Sequence, residues 1–327
     1  MRFSNRRLTI WALTIVIIIG VGVFLSLYKN EFDVLGPENE KNEKETSSIT
    51  GRECKNTGAR PFAVMISSDA EARPLSGIGE ADMVFEMPVV ENGFTRMMAI
   101  YQCGRPKEIG SVRSARLDFV PLALGINAIY AHFGGEHTVL KELNDGIIDN
   151  IDGLKYDGTI YYRKKDIPRP HNAFTNMDLL TEISEERGYR LIDSFEGYPH
   201  DNKDESLGTD QPPPIFNKPF EVIWRYNQPT NSYLRTRGGK PEVDKNTGKQ
   251  VGAKNVVIMK TTWSPINKDY IRVKTIGYGA AEIYKNGQRI FGSWQKKDNK
   301  SKLYFYDQGG KEIKFVPGNI WVEIITD

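Results

Sequence analysis

The sequence predicts an α+β or α/β protein with three parts: an N-terminal membrane anchor, a mixed α/β external domain and a β-rich domain, either a sandwich or a barrel. Three observations support this fold class. Residues 8–28 form one uncharged apolar run, and residues 60–197 alternate between strand-like and helix-like patterns. Beyond residue 214, the apolar segments are short and rich in β-branched or aromatic side chains. Strands that alternate with helices are typical of α/β chains, and a separate run of strands is typical of α+β chains.

Length and composition indicate a globular protein. The chain has 327 residues, of which 39% are hydrophobic and 26% charged, which suggests about two domains. Its 15 Phe, 15 Tyr and 5 Trp exclude disorder throughout the chain. A net charge of +2 gives no reason to expect a nucleic-acid partner. Two cysteines are too few for a four-cysteine zinc site.

The apolar run predicts a membrane-spanning helix. Residues 8–28 read LTIWALTIVIIIGVGVFLSLY, and a helix of this length reaches about 30 Å, enough to cross a bilayer. Arg2, Arg6 and Arg7 precede the run, so residues 1–7 form a cytoplasmic tail and the body lies outside the cytoplasm. The alternative is a cleaved signal peptide, which has a shorter apolar region and small residues at the cleavage site.

A flexible linker and a mixed α/β domain follow the anchor. Residues 29–55 are charged and lack periodicity, which is typical of a linker. The domain is expected over residues 56–200. Its predicted strands are 61–66, 82–86, 95–101 and 127–133, with a hairpin turn at 91–93. Its predicted helices are 114–125, with Ser114 as N-cap and Pro121 as a bend, then 136–143 and 178–188.

A second linker separates this domain from the β-rich one. Residues 201–214 are polar and end in three prolines, a typical domain boundary. The β-rich domain is expected over residues 215–327. Asn286-Gly287 and Gly309-Gly310 are dipeptides of the kind found in two-residue hairpin turns.

Cys54 and Cys103 are predicted to form a disulfide, because thiols outside the cytoplasm can oxidise. The alternative is two unpaired thiols, one of them buried at the end of a strand.

The segment GSVRSAR at 110–116 is a candidate anion site. A helix that began near Ser114 would point free backbone N–H groups at the preceding loop, and Arg113 and Arg116 would add charge there. Several donors in a partly dry pocket are what a phosphate or carboxylate requires. The alternative is two surface arginines on a solvated helix start.

Two further turns carry basic or histidine side chains. His132 ends a predicted strand before Gly134-Gly135, a position that often faces a ligand crevice. Arg169 and His171 lie in a basic loop. The alternatives are a hydrogen-bonded structural histidine and an ordinary basic loop. His132 and His137 are five residues apart and do not share a helix face, so they are not expected to form a metal site. No cofactor is expected either.

These motifs together resemble a known family. RSAR at 113–116, HFGG at 132–135 and PHN at 170–172 resemble the YerB-like family of bacterial envelope lipoproteins, whose function is unknown. WQK at 294–296 and PGNIWV at 317–322 resemble that family's second domain. The resemblance spans residues 60–327, and it implies an envelope location and a two-domain plan.

A weaker resemblance suggests a mechanism. ADMVF at 81–85 and INAIY at 126–130, leading to Gly134-Gly135, are similar to segments of LytR-type cell-wall phosphotransferases. That similarity implies a single N-terminal anchor and an external α/β domain. It further implies arginines that hold a lipid pyrophosphate during transfer of glycopolymers to peptidoglycan.

The leading functional hypothesis is an envelope protein that binds an anionic ligand carrying phosphate or carboxylate. Three turns with basic or histidine side chains fall in one domain, and the residues expected to bind the ligand are Arg113, Arg116, His132, Arg169 and His171.

Two alternatives stay open. The first is a metal-dependent phosphotransferase acting on lipid-pyrophosphate-linked glycopolymers, in which Asp82 would help to bind the cation and Asp118 is the nearest second carboxylate. The second is a non-catalytic scaffold or partner-binding protein whose β-rich domain is the working part.

Overall fold

The computed structural model describes residues 46–91, 94–218, 220–267 and 270–326. The cytoplasmic tail (1–7), the anchor (8–28) and most of the first linker (29–55) fall outside these residues. Within the described ranges, no helix is both long enough and apolar enough to cross a membrane.

Among the described residues, the N-terminal half has three short α-helices: α1 (Val120–Gly125), α2 (His137–Asn144) and α3 (Met177–Glu186). The helices expected at 136–143 and 178–188 are confirmed as α2 and α3. Asn176 caps α3, because its Oδ1 accepts the N–H of Leu179 at 2.9 Å. Single 3₁₀ turns occur at Ala70–Ala72, Ile78–Glu80, Leu117–Phe119 and Gln228–Thr230.

The remaining regular structure in the described ranges consists of β-strands. The strands of the N-terminal half are β1 (Phe62–Ser67), β2 (Met83–Pro88), β3 (Thr95–Tyr101), β4 (Ile109–Gly110), β5 (Ile129–His132), β6 (Asn150–Asp152), β7 (Tyr162–Arg163) and β8 (Ala173–Thr175). Those of the C-terminal half are β9 (Val222–Asn227), β10 (Ser232–Arg237), β11 (Lys240–Pro241), β12 (Gly252–Ala253), β13 (Asn255–Thr261), β14 (Trp263–Pro265), β15 (Ile271–Val273), β16 (Gly277–Lys285), β17 (Gln288–Lys296), β18 (Tyr304–Asp307) and β19 (Ile320–Thr326).

Strands from both halves form one mixed sheet of ten strands, in the order β18-β17-β16-β13-β19-β2-β3-β1-β5-β6. The two halves join where β19 pairs in parallel with β2, in the register Trp321 with Val84. Further along, β1 pairs in parallel with β5, so the C-terminal ends of these two strands lie side by side. Smaller sheets are formed by β9 to β12, by β14 with β15, and by β4, β7 and β8.

Both faces of the main sheet are covered, which explains why its central strands are apolar at successive positions. In β1, Ala63 and Met65 belong to one apolar core, whereas Val64 and Ile66 belong to the other. Helices α1 and α2 pack on the first face. Helix α3 and the sheet formed by β9, β10 and β12 cover the second face.

The C-terminal half is β-rich as expected, but the described strands do not form a separate sandwich or barrel. Five of them, β13 and β16 to β19, extend the main sheet. The parallel pairing of β19 with β2 accounts for this difference, because it places two strongly apolar strands beside each other in the centre of one sheet.

Two of the three hairpin turns that the sequence predicts join paired strands. At the third, Gly309-Gly310, the chain turns between Asp307 and Lys311, and β18 meets the returning segment in one bridge, between Tyr306 and Glu312, in place of a two-residue hairpin. Strands β2 and β3 are antiparallel with Pro88 opposite Thr95, although residues 92 and 93 of the connection fall outside the described ranges. Strands β16 and β17 are joined by Asn286 and Gly287, whose φ angles of 54° and 68° are those of a type I′ turn.

The predicted disulfide is confirmed. Cys54 and Cys103 are bonded, with their Cα atoms 5.8 Å apart. The bond ties the segment before β1 to the chain that follows β3.

Candidate functional site

Residues 110–116 do not start a helix, contrary to the sequence-based expectation. The N–H of Arg113 donates to the carbonyl of Met65 at 2.9 Å, and that of Ala115 donates to Gly134 at 2.8 Å. These bonds hold the segment extended beside the ends of β1 and β5. The helix therefore begins only at Val120, after a 3₁₀ turn, and the helix N-terminus expected near Ser114 is not part of the site.

Asp69 lies just after β1 and is the centre of the site. Its Oδ2 accepts the Ser67 hydroxyl at 2.5 Å. Three basic groups face the same oxygen: Arg96 Nη1 at 3.4 Å, Arg113 Nη2 at 3.9 Å and His171 Nδ1 at 3.7 Å. The structure thus brings two of the predicted residues, Arg113 and His171, around one carboxylate.

Arg96, Arg113 and Arg116, named here the arginine cluster, carry more positive charge than Asp69 can balance. Burial lowers the pKa of Arg96 to about 9, with Arg113 adding to the shift. Burial also lowers the pKa of Arg113; Asp69 opposes this shift and Arg116 adds to it. The Nε atoms of all three arginines are buried without a hydrogen-bond partner among the described residues. Such a surplus of buried cationic donors is suited to an anion.

Arg116 forms one side of the cluster. Its guanidinium lies 4.9 Å from the ring centroid of Tyr270, and its Nη1 donates to the Ala115 carbonyl at 2.8 Å. A cavity of about 520 Å³ is lined by Leu117 and Asp118, the next two residues, and by Trp263. The three arginines of the cluster are not among the residues that line it.

A hairpin loop between β7 and β8 brings His171 to the site. Asn172 closes this loop, since its carbonyl accepts the N–H of Lys164 at 2.9 Å. The Arg113 Nη1 atom donates to the Pro170 carbonyl at 3.1 Å, which fixes the loop against the arginine cluster. Within the described structure, His171 Nδ1 is buried and lacks a hydrogen-bond partner. Burial lowers the pKa of this ring, an effect that Asp69 opposes.

In the described structure, the other two predicted residues do not form an ion pair with Asp69. Arg169 is exposed, two residues before His171. His132 is fully buried, with Nδ1 2.8 Å from the Gly134 carbonyl and Nε2 3.3 Å from Asn150 Oδ1. Burial lowers the pKa of His132. Because Gly134 accepts the N–H of Ala115, His132 supports the segment that carries the arginines.

The acidic residues considered for the phosphotransferase alternative are held by structural contacts. Asp82 Oδ2 accepts the backbone N–H groups of Gln102, Cys103 and Gly104 at 2.6 to 3.0 Å. Asp118 accepts the N–H of Val273 at 2.8 Å and contacts Arg272 Nε at 3.0 Å.

A different set of side chains has the composition of a cation site. One potential ligand atom from each of Asp69, Glu71 and His171 lies within 4.8 Å of the others.

Sequence reasoning missed Asp69, Glu71 and Arg96. A signal for Arg96 was present, because it is the one charged side chain in the apolar run TRMMAIY. Lys, Glu, Arg and Asp are seldom fully buried without a partner, so an arginine inside a central strand marks a special environment. Asp69 and Glu71 had no comparable signal, since they lie in a polar stretch after β1.

The chain matches two family domains, and it is similar to a known protein in both sequence and structure. Residues 49–190 match the model of the DUF3048 N-terminal domain, described as a protein of unknown function, and residues 215–322 match that of the DUF3048 C-terminal domain. YerB of Bacillus subtilis (strain 168) is 30% identical over 297 residues, covering 89% of this chain and 88% of the relative. The crystal structure of YerB from Bacillus subtilis superposes with a TM-score of 0.76 at 30% identity, covering 86% of this chain and 97% of that structure.

Proposed function

The chain belongs to the DUF3048 or YerB-like family, and we propose that it is a membrane-associated envelope protein that binds an anionic ligand through its arginine cluster. The ligand would carry phosphate or carboxylate groups. One observation carries the proposal: the guanidinium groups of Arg96 and Arg113 both face the buried carboxylate of Asp69, the charge of Arg116 acts on both, and the Nε atoms of all three arginines have no hydrogen-bond partner among the described residues.

Electrostatics favour an anion at this position. An ionised group removed from water is costly unless a counter-charge and hydrogen bonds replace its hydration. Arg96 has 2% of its side chain exposed, and its Nη1 approaches Asp69 Oδ2 only to 3.4 Å. A bound anion would supply the missing negative charge to Arg96, Arg113 and Arg116 together.

The donor types suit an oxyanion. Guanidinium groups present planar pairs of N–H donors that match carboxylate and phosphate oxygens. His171 lies beside Arg113 and adds a ring nitrogen, while exposed Arg169 would attract the ligand from solvent. His132 acts as a positioning residue in this proposal, because it supports Gly134 beneath the arginine segment.

The envelope location rests on two observations. The uncharged run at residues 8–28 is long enough to span a bilayer as a single helix, with the N-terminus inside. The name of the Bacillus subtilis relative marks that protein as a candidate lipoprotein. Both point to a body held at the outer face of a membrane.

Binding is favoured over phosphotransfer by the positions of two carboxylates. Asp82 accepts three backbone N–H groups, and Asp118 is paired with Val273 and Arg272. Each already has partners that account for its position, so neither supports the metal-dependent alternative.

Thermal unfolding of the full chain in detergent tests the proposal, with inorganic phosphate and pyrophosphate as probes. A probe at 100 times its Kd should stabilise the folded state by about 2.7 kcal/mol. Arg113→Ala and Arg116→Ala should abolish the shift. The exposed Arg187→Ala variant is the matched control and should retain it. An equal shift in all variants, or none with either probe, would overturn the proposal.

A further inference from the structure

Asp69, Glu71 and His171 converge beside the arginine cluster from two directions. Asp69 and Glu71 belong to the 3₁₀ turn that follows β1, and His171 approaches on the loop between β7 and β8. Their potential ligand atoms lie within 4.8 Å of one another. Ligands of one divalent ion are each about 2.0–2.2 Å from it, so a small inward movement of these side chains would bring them into range.

We propose that Asp69, Glu71 and His171 form a divalent-cation site that the bound anion completes, so that the cation bridges the protein and its ligand. This inference rests on the proposed function and deepens it, because it defines the ligand class as an oxyanion bound together with a divalent cation. Two carboxylates and one imidazole leave coordination positions open for oxygens of the anion.

Unused polar groups at the same point support the inference. His171 Nδ1 is buried and without a hydrogen-bond partner in the described part of the chain. Arg96, which is almost fully buried, directs Nη1 at Asp69, while its Nε also lacks a partner among described residues. The His171 Nδ1 atom is available to coordinate a metal, and the Arg96 guanidinium is suited to an anion. Glu71 is exposed, so the ion has a path from solvent.

Charge explains why cation and anion should bind together. Arg96 and Arg113 face the same Asp69 oxygen and would repel a cation that arrived alone. An anion on the arginine cluster removes that repulsion, and a cation on Asp69 and Glu71 in turn attracts the anion. By linkage, each must strengthen the binding of the other by the same factor.

Mn²⁺ and inorganic phosphate provide the test on the full chain in detergent. The electron paramagnetic resonance signal of free Mn²⁺ reports its Kd, and calorimetry reports that of phosphate. We expect phosphate to tighten Mn²⁺ binding at least tenfold, and Mn²⁺ to tighten phosphate binding by the same factor. Glu71→Gln should remove this coupling while leaving metal-free phosphate binding in place. His171→Ala should also remove the coupling, and it should weaken metal-free phosphate binding because the ring contributes to the anion site. Glu185→Gln, an exposed acidic position on α3, is the control and should change neither Kd.

The outcomes separate the two proposals. Phosphate binding that is unchanged by Mn²⁺, or Mn²⁺ binding that persists in both variants, would overturn the cation site and leave the anion site standing. Absence of phosphate binding with or without Mn²⁺ would overturn both.

Discussion

Arg235 and Glu86 form an ion pair in which neither side chain has any exposed surface, although the two residues are 149 positions apart in the chain. Glu86 lies on β2, at the centre of the main sheet, and Arg235 lies on β10, in the small sheet that covers it. The pair therefore connects the two halves of the sequence through the core. Arg235 also contacts Glu242 and lies 3.5 Å from Glu323, and Arg237 contacts Glu86.

Glu86 is ionised in this network despite its burial. Burial opposes its charge, but the guanidinium groups of Arg237 and Arg235 outweigh that effect and hold the pKa of Glu86 below its usual value. Glu323 behaves in the opposite way, because burial and the nearby charge of Glu86 raise its pKa to about 7. Trp224 and Trp321 enclose Arg235, with ring centroids 5.5 and 4.5 Å from its guanidinium carbon.

Removing one partner of this network should strongly destabilise the fold. We expect Glu86→Ala to lower the free energy of unfolding by about 3–5 kcal/mol, since it leaves Arg235 and Arg237 buried without their counter-charge. Urea denaturation measures the loss. Lys141→Ala is the control: it breaks the solvent-exposed pair with Asp145 at 2.7 Å and should lower the free energy of unfolding far less than Glu86→Ala does. A comparable, small loss for both variants would contradict a stabilising role for the network.

The disulfide between Cys54 and Cys103 should increase the free energy of unfolding. Cys54 and Cys103 are 49 residues apart, and closing a loop of this length contributes at most about 4 kcal/mol in the chain-entropy model. The Cys54→Ser/Cys103→Ser double variant should therefore unfold at lower urea concentration than the oxidised protein. Addition of reductant should shift the parent protein toward the double variant and leave the double variant unchanged. Equal midpoints for the oxidised and reduced parent would contradict this prediction.

The local elements could be predicted because their signals are local. Asn286-Gly287 encodes its own turn, and the apolar periodicity of residues 136–143 and 178–188 encodes two helices. The parallel pairing of β19 with β2 has no local signature, since it joins residues more than 200 positions apart. The extended path of Arg113 could not be predicted for the same reason: it depends on a backbone bond to Met65, on another strand.

In the candidate site, too, residues with a local sequence signal could be predicted and residues brought together only by tertiary structure could not. The sequence identified Arg113 and His171 through their basic turns, and the structure places both at Asp69. Arg96 contributes to the same site from inside a β-strand, where only tertiary pairing decides which side chains meet. The Glu86–Arg235 network was missed as well, because its members are spread over both halves of the chain.

Asp118 should make the protein less stable as pH rises from about 4 to 6. Burial raises the pKa of Asp118 to about 6, although the Val273 N–H and Arg272 oppose the shift. The folded state then binds a proton that the unfolded state, with a pKa near 4, has already released, so stability falls across this interval. Asp118→Asn removes the titration. Relative to the parent, its free energy of unfolding should rise by about 2 kcal/mol between pH 4 and pH 7.

Urea denaturation of both proteins at several pH values isolates this effect, because other titrating groups cancel in the difference. Asp178→Asn, at an exposed position on α3, is the control. Its difference in free energy of unfolding from the parent should not rise between pH 4 and pH 7 as that of Asp118→Asn does. A parent-to-variant difference that is constant from pH 4 to pH 7 would show that Asp118 keeps an ordinary pKa.

Arg96 should destabilise the ligand-free protein and contribute to stability only when the anion is bound. Its side chain is buried among like charges and faces Asp69 at 3.4 Å, a contact too long to be a strong hydrogen bond. We expect Arg96→Met, which keeps the length of the side chain without its charge, to leave the unliganded protein equally stable or up to about 2 kcal/mol more stable. The same variant should lose the stabilisation by phosphate or pyrophosphate. Thermal unfolding with and without the probe measures both effects in one series.

Glu86→Ala provides the contrast, because the loss of a residue that serves only the fold destabilises the protein at every probe concentration. If Arg96→Met were as destabilising as Glu86→Ala and still responded to the probe, Arg96 would belong to the structural core and not to the site.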